Sequence, residues 1–275
     1  KKNKKQKRLI FTTNLKEAVI NSDIIFICVG TPTKKNSNSA DLKYVFKVAN
    51  ELKKIIKKYK IIITKSTVPV TTGDKIEKIL NKLKNKNLVD VVSNPEFLRE
   101  GEAIRDFIFP DRVIIGTDSK KANNILKSLY LPIIKKTNRY FNTSRRSAEL
   151  IKYASNAFLA TKITFINELA NLSEKTGVDI KDISLGMGSD QRIGERFLRA
   201  GPAYGGSCFP KDTRALINIG AKFKTDLSIV KSVVTSNHKR KILLTKKVET
   251  ILNGNLKGKK VSFLGVTFKP NTDDM

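Results

Sequence analysis

Along the first half of the chain, apolar residues fall into short unbroken runs separated by amphipathic stretches. The run DIIFICVG over 23–30 is closed by glycine, which reads as a strand buried on both faces. The pattern then predicts helix over about 41–58, strand over 61–64, helix over about 72–84, strand over 88–93, strand over 112–116 and helix over about 119–130. Strands alternating with helices predict a parallel sheet covered by helices on both faces. Ligands of such sheets gather at the carboxyl ends of the strands. That rule selects GTPT after the first run, KSTVP after the second, SNPEFLREG after the third and the segment after the fourth.

Beyond residue 143 the period changes to that of helix. Residues 144–176 contain neither proline nor glycine, and Gly177 is placed to end the helix. At 1.5 Å per residue this helix is about 50 Å long. Its apolar residues Ile151, Phe158, Ile163, Phe165, Ile166, Leu169 and Leu172 occupy more than one face, so other elements or a second subunit must cover them. A short helix over 180–185, a glycine-rich loop, a helix after Pro210 and a long helix over about 226–252 follow. The run KVSFLG at 260–265 reads as the first strand of a new α/β unit. Both ends of the pattern break off inside a unit, so the expectation is a piece of a longer protein.

Composition narrows the class. Apolar residues make up 40 % of 275, enough for a packed core, and no run approaches the length of a membrane span. The start, KKNKKQKR, lacks the apolar stretch of a signal peptide, and two distant cysteines suit a reducing cytoplasm. The net charge of +29 raises the question of a nucleic-acid partner. The lysines are spread over almost every helical segment, interleaved with apolar residues and without a recognition motif. They read as solvated faces, and no nucleic-acid or membrane partner is expected.

Candidate chemistry lies in four places. Lys152 and Asn156, four apart in ELIKYASNAF, project from one helix face among mostly apolar neighbours. Buried together, they would form a fixed pair of donors for an oxyanion or a sugar hydroxyl; on the surface they would be solvated. Cys208 in YGGSCFPKD follows two glycines and precedes Pro210, which suits a helix start. A helix N-terminus and adjacent Lys211 favour the thiolate, and Asp212 lies one turn on; the alternative is a small buried hydrophobe. Cys28, inside an apolar strand, fits that alternative. Glu96 and Glu100 fall in an expected ordered loop, where a desolvated glutamate serves as general base. Thr31 and Thr67 each sit beside proline, where a hydroxyl either caps a helix or meets a ligand. His238, the only histidine, lies in a lysine-rich helix and gives no dyad, and no metal site is expected.

Taken together, VGTPT, KSTVPV, SNPEFLREG, PDRVIIG, ELIKYASNAFLATKI, RIGERFL, YGGSCFPKD and LGVTFKPNTDD resemble the nucleotide-sugar 6-dehydrogenases, in family order across nearly the whole chain. The resemblance implies an α/β chain: a partial Rossmann-like NAD-binding domain at 1–143, a central helical domain at 144–225 that forms a homodimer through its long helix, and at 226–275 a connecting helix and the first strand of a nucleotide-sugar domain. It implies two oxidations of a sugar C6 alcohol to a carboxylate with NAD. UDP-glucose is the expected substrate, and GDP-mannose or UDP-N-acetylmannosamine the alternatives. By motif position Cys208 would form the thiohemiacetal and thioester, while Lys152 and Asn156 would hold the oxyanions. Glu96 and Asp212 would manage protons and water, with Thr67 in support. Val29, Thr31, Thr67, Glu100 and Lys211 match cofactor contacts. Glu96, Phe97, Leu98, Arg99, Lys152, Asn156, Phe197, Leu198, Arg199, Ala200, Gly201, Gly205 and Lys269 match substrate contacts.

The departures are specific. The family's N-terminal Gly-rich fingerprint and most of its C-terminal domain have no counterpart here, so weak NAD binding by residues 1–275 alone is expected. Thr71 stands where the family usually has glycine, and Pro202 stiffens the loop before Tyr204.

Overall fold

The structure is a computed structural model that describes residues 2–35, 37–82, 88–134, 139–267, 269 and 272. In chain order its elements are α1 (Lys2–Lys5), α2 (Leu15–Ile20), β1 (Ile24–Ile27), α3 (Lys43–Ile55), β2 (Lys60–Thr64), α4 (Thr72–Leu80) and β3 (Val89–Ser93). There follow α5 (Ala103–Ile108), β4 (Val113–Gly116), α6 (Lys120–Tyr130), β5 (Tyr140–Thr143) and α7 (Arg145–Thr176). The last elements are α8 (Ile180–Gly188), α9 (Phe209–Lys222) and α10 (Ser228–Ile251). Two compact units result: Lys1–Thr31, Asp41–Leu98 and Ile104–Leu150 form the first, and Pro32–Ala40, Arg99–Ala103 and Ile151–Met275 the second. Helix α7 runs out of the first and into the second.

The first unit is a sheet in the order β1-β2-β3-β4-β5. Strand β2 is buried along its whole length, and its side chains divide by parity. Ile62 joins Val45, Ala49 and Leu52 of α3 and Ile76 and Leu80 of α4 on one face. Ile61 and Ile63 join Ala122 and Leu126 of α6 on the other. That period of two is why KIIIT reads as an unbroken apolar run. Three strand pairings are parallel, as expected, but β3 and β4 meet antiparallel at the single pair Ser93↔Gly116. Apolar runs carry no direction, so the sequence could not show this reversal.

Elements that the periodicity did not predict are those that bury little. Helix α5 has no buried residue, α2 has only Val19, and β5 lies at the sheet edge with Phe141 and Asn142 exposed and no residue fully buried. Two expectations are corrected. Cys28 is exposed rather than buried, because β1 is itself an edge strand and pairs only with β2 among the described residues. The run at 260–265 forms no strand and is exposed throughout; no described strand lies beside it to complete a ladder. Phe158 is 65 % exposed although it sits in the apolar stretch of α7. Part of the expected 72–84 helix, and most of PNTDD, lie outside the described residues.

The start of α7 is fastened to the sheet by a carboxylate. Thr71, at the N-cap of α4, has φ +78°, in the left-handed region that favours glycine, and its side chain makes no cap bond. Glu149 supplies the missing cap from α7. Its Oε2 accepts from the Thr71 N–H at 2.8 Å, and its Oε1 from the Gly73 N–H at 2.7 Å and from Ser93 Oγ at 3.1 Å. A Cβ on Gly73 would stand 3.0 Å from that Oε1, and one on Gly116 2.6 Å from the Ala148 Cβ, so both glycines admit close approach of α7. Arg145 pairs with Asp74 and Glu77 beside them.

Burial pushes the Glu149 carboxyl up to about 7, with nearby Asp74 adding to the rise, against the pull of the Gly73, Ser93 and Thr71 donors. A group raised in the folded state contributes stability that is present below its unfolded value near 4.5 and lost as pH rises through the folded value. Urea unfolding of the native chain is therefore expected to lose about 3 kcal/mol between pH 4.5 and 8 through this group. In Glu149→Gln that part of the slope should vanish. An identical pH profile for the two proteins would show that Glu149 does not titrate in this range.

Candidate active site

In the second unit the sequence-predicted groups converge on two packed helices. Tyr153 and Ala157 of α7 pack against Ala215 and Leu216 of α9, and this apolar seam holds the two helices together. Lys152 is 5 % exposed and Asn156 7 %, so the pair is buried rather than solvated. Asp212, 1 % exposed, accepts from Asn156 Nδ2 at 2.6 Å and from Lys211 Nζ at 2.6 Å. A buried carboxylate needs donors of this kind. Lys211 is thus turned toward Asp212.

Cys208 is the N-cap of α9, with Pro210 in the first turn, and its thiol is exposed. The Asp212 N–H donates to the Cys208 carbonyl at 2.8 Å, which sets the carboxylate one turn beyond the cysteine. Gly206, at φ +72°, takes the chain into that turn. Gly205 is half-buried, with no atom within 4 Å of where a Cβ would stand. In the preceding loop Phe197 has φ +68°, Leu198 is buried, Arg199 is exposed, and Ala200 and Gly201 are half-buried. Arg99 and Glu100 also belong to this unit, exposed and half-buried respectively, and Lys269 is half-buried near the end of the chain.

In the first unit, the loops after β1 and β2 are cross-linked. Thr31 Oγ1 donates to the Thr67 carbonyl at 2.8 Å, and Ser66 Oγ to the Val29 carbonyl at 2.6 Å. Lys65 Nζ reaches Asn94 Oδ1 at 3.3 Å, and that oxygen also accepts from Tyr130. The loop after β3 is ordered and partly buried: Glu96 Oε2 accepts from the Leu98 N–H at 2.6 Å, and the Arg112 guanidinium lies 4.2 Å from the Phe97 ring centre. The predicted residues therefore form two sets. Val29, Thr31, Thr67, Glu96, Phe97 and Leu98 stand on the sheet's unit, and the others on the helical unit.

Glu149 was missed by sequence reasoning. The signal was present: in ELIKYASN it precedes Lys152 by three and Asn156 by seven, the spacing of one helix face. Among the described residues no group of three His, Cys, Asp or Glu side chains is placed to hold a metal ion, and no helix is long and apolar enough to cross a membrane. Removing the Asn156 amide strips a donor from a buried charge. Asn156→Leu is expected to destabilise the chain by about 1–3 kcal/mol in urea unfolding. A stability equal to the parent's would mean that the Asp212 carboxylate does not depend on this bond.

The chain is similar to known proteins over nearly its whole length. Residues 1–134 match the NAD binding domain, and residues 146–239 the central domain, of the UDP-glucose/GDP-mannose dehydrogenase family. The UDP-glucose 6-dehydrogenase of Rhizobium meliloti is 49 % identical over 98 % of this chain and 62 % of its own. The solved UDP-glucose dehydrogenase of Pyrobaculum islandicum is 39 % identical, with a TM-score of 0.93 over 99 % of this chain and 63 % of its own. GDP-mannose dehydrogenase of Pseudomonas aeruginosa is 32 % identical, with a TM-score of 0.66. The chain thus spans about three fifths of the length of these relatives. With both domain types matched in order and these identities, the chain belongs to the UDP-glucose/GDP-mannose dehydrogenase family.

Proposed function

We propose that this chain carries the catalytic groups for NAD-dependent oxidation of UDP-glucose at C6 to UDP-glucuronate, through a thioester on Cys208. One observation carries the reading: an exposed thiol at the N-cap of α9 stands one turn from a buried carboxylate tied to a buried amide. The names of the relatives point to the same sugar.

The loops after β1 and β2 suit a dinucleotide. The Lys65 ammonium, with three donors, matches the charge of a pyrophosphate; the Thr31 and Ser66 hydroxyls, which give their hydrogens to backbone carbonyls, keep lone pairs that match a donating ribose hydroxyl; and the Gly30 position leaves open space where a side chain would stand. Bound there, NAD would supply the hydride acceptor for each oxidation, which no side chain can be. Val29, Thr31 and Thr67 would hold it.

The side chains would do the rest. Cys208 Sγ adds to the C6 aldehyde carbon and forms a C–S bond, and the oxygen takes up negative charge. The Lys152 ammonium and the Asn156 amide donate to that oxygen, and they gain most when it is charged. After the second oxidation the thioester carbon accepts a water oxygen, a carboxylate, Glu96 or Asp212, takes the proton, and the C–S bond breaks to return the thiol and release the acid. Asp212 is held by two donors before substrate arrives, so its position costs no reorganisation. The Phe197–Gly201 loop, Gly205, Lys269 and Arg99 would meet the nucleotide sugar. The two free cysteines suit a reducing compartment, the cytoplasm.

Association of two copies through α7 belongs to the same proposal. Phe158, Phe165 and Leu172 recur every seven residues on this helix at 65 %, 48 % and 57 % exposure, an apolar stripe of the kind that pairs helices. Sedimentation is expected to find a dimer, and Phe165→Glu a monomer; unchanged sedimentation of the variant would remove α7 from the interface.

The central test is NADH formation by the protein at its natural length with UDP-glucose, GDP-mannose and UDP-N-acetylmannosamine. UDP-glucose is expected to be preferred. Cys208→Ser should lower acid release by at least about a hundredfold and leave a tightly held intermediate. Acid release by Cys208→Ser at the parental rate would end the covalent mechanism.

A further inference from the structure

The segment from residue 193 to 204 has no regular secondary structure, yet its backbone is held along its length by side chains of the surrounding helices. Lys162 Nζ of α7 donates to the carbonyls of Ile193 and Gly194 at 2.9 and 3.1 Å, and Ser184 of α8 donates to the Leu198 carbonyl. At Gly201 the N–H donates to Asn167 Oδ1 at 2.8 Å and the carbonyl accepts from Arg240 Nε at 3.1 Å. At Tyr204 one amide side chain serves both backbone groups: Asn237 Oδ1 accepts the N–H at 2.8 Å, and Nδ2 donates to the carbonyl at 3.0 Å.

Asn167, Asn237 and Arg240 are all at least nine-tenths buried; the buried positions near them are Thr164, Ile166, Ala170 and Ser173 on α7 and Val233 on α10. Packing alone would be served more cheaply by leucine or methionine at such places. Polar groups there act on what they bond: loop backbone at Gly201 and Tyr204, and for Arg240 also the Asn171 side chain and the Asn167 carbonyl of α7. Between Tyr204 and α9 lie Gly205, Gly206, Ser207 and Cys208, and the two glycines leave this stretch little stiffness of its own. Its far end is set by α9. Its near end is set by Asn237, and by the Tyr204 ring packed edge-on to Phe209 with centres 6.2 Å apart. Upstream, Phe197 is kept at φ +68°, a conformation a bulky residue holds only when its surroundings impose it.

We propose that Asn237, Arg240 and Asn167 are positioning residues: Asn237 fixes the backbone from which Cys208 is presented, and Asn167 with Arg240 fixes the Phe197–Gly201 loop against the nucleotide sugar. This rests on the function proposed above. It makes the two ends of the clamp separable. Asn237 governs the placing of the nucleophile and hence turnover, and Asn167 governs the loop and hence substrate affinity.

The test pairs kinetics with amide hydrogen exchange in Asn237→Ala and Asn167→Ala. With UDP-glucose and NAD, Asn237→Ala is expected to lower kcat about tenfold or more while KM for the sugar stays within about threefold. Asn167→Ala should do the reverse, raising KM about tenfold with kcat within about threefold. Exchange should quicken at the Tyr204 amide in the first variant and at the Gly201 amide in the second. Parental kinetics despite faster exchange would overturn the proposal. So would a parallel fall in both constants in both variants, the mark of general loosening. Should Asn237→Ala not fold, Asn237→Ser, which keeps a polar side chain, takes its place with the same readouts. If the native protein turns over no nucleotide sugar, the functional reading falls by itself. The clamp is then judged on exchange: protection at Gly201 and Tyr204, released separately by the two variants, upholds it, and its absence in the native chain overturns it.

Discussion

The carboxylate of Glu149 is the constraint on which the sheet's unit depends. It ends a problem that begins at Thr71, where a β-branched residue occupies a left-handed conformation and cannot cap the helix that follows it. Two N–H groups at the start of α4 would otherwise be buried without partners, and each such group costs about 1–3 kcal/mol. Glu149 satisfies both, and with the same oxygen reaches Ser93 at the end of β3. One side chain thus binds α7 to a helix start and to a strand end. Glu149 precedes Lys152 by less than one helical turn on the same helix.

The second unit spends its buried polar groups differently. Tyr153, Ala157, Ala215 and Leu216 make the apolar seam, and they would hold α7 and α9 together without help. Asn156, Asp212, Asn167, Asn237 and Arg240 add polar atoms to that interior: Asn156 meets the Asp212 carboxylate, Asn167, Asn237 and Arg240 meet loop backbone, and Arg240 also meets Asn171 of α7. A well-packed apolar alternative is usually as stable as a buried polar network or more so. The arrangement is therefore understood by what it orders: the segment that ends in an exposed thiol.

Legibility in the sequence followed burial. The run KIIIT announced β2 because both its faces are covered, and the long interval free of proline and glycine announced α7 almost to the residue. Strand β5 and helix α5 were silent because they lie at an edge and on a surface, where no periodic demand acts on side chains. Cys28 and the 260–265 run failed for a related reason. An apolar run states that a segment can be buried, but whether it is depends on a neighbouring strand that the run itself does not specify. The reversal of β4 was equally hidden, since apolar character does not reveal strand direction.

The candidate site was legible where chemistry is carried by a short motif. YGGSCFPKD shows glycines, thiol, helix start and carboxylate in nine residues, and ELIKYASN shows two polar side chains on one face. The supports were not legible, because a supporting side chain is recognised by its partner rather than by its neighbours in the chain. Asn237 reads as one polar residue in a lysine-rich helix; only its two bonds to Tyr204, 33 residues earlier, separate it from a solvated asparagine. The same holds for Glu149 and Thr71, which are 78 residues apart. A motif can thus point to candidate atoms from local sequence, while the side chains that hold them in place are found in long-range pairs that only the fold brings together.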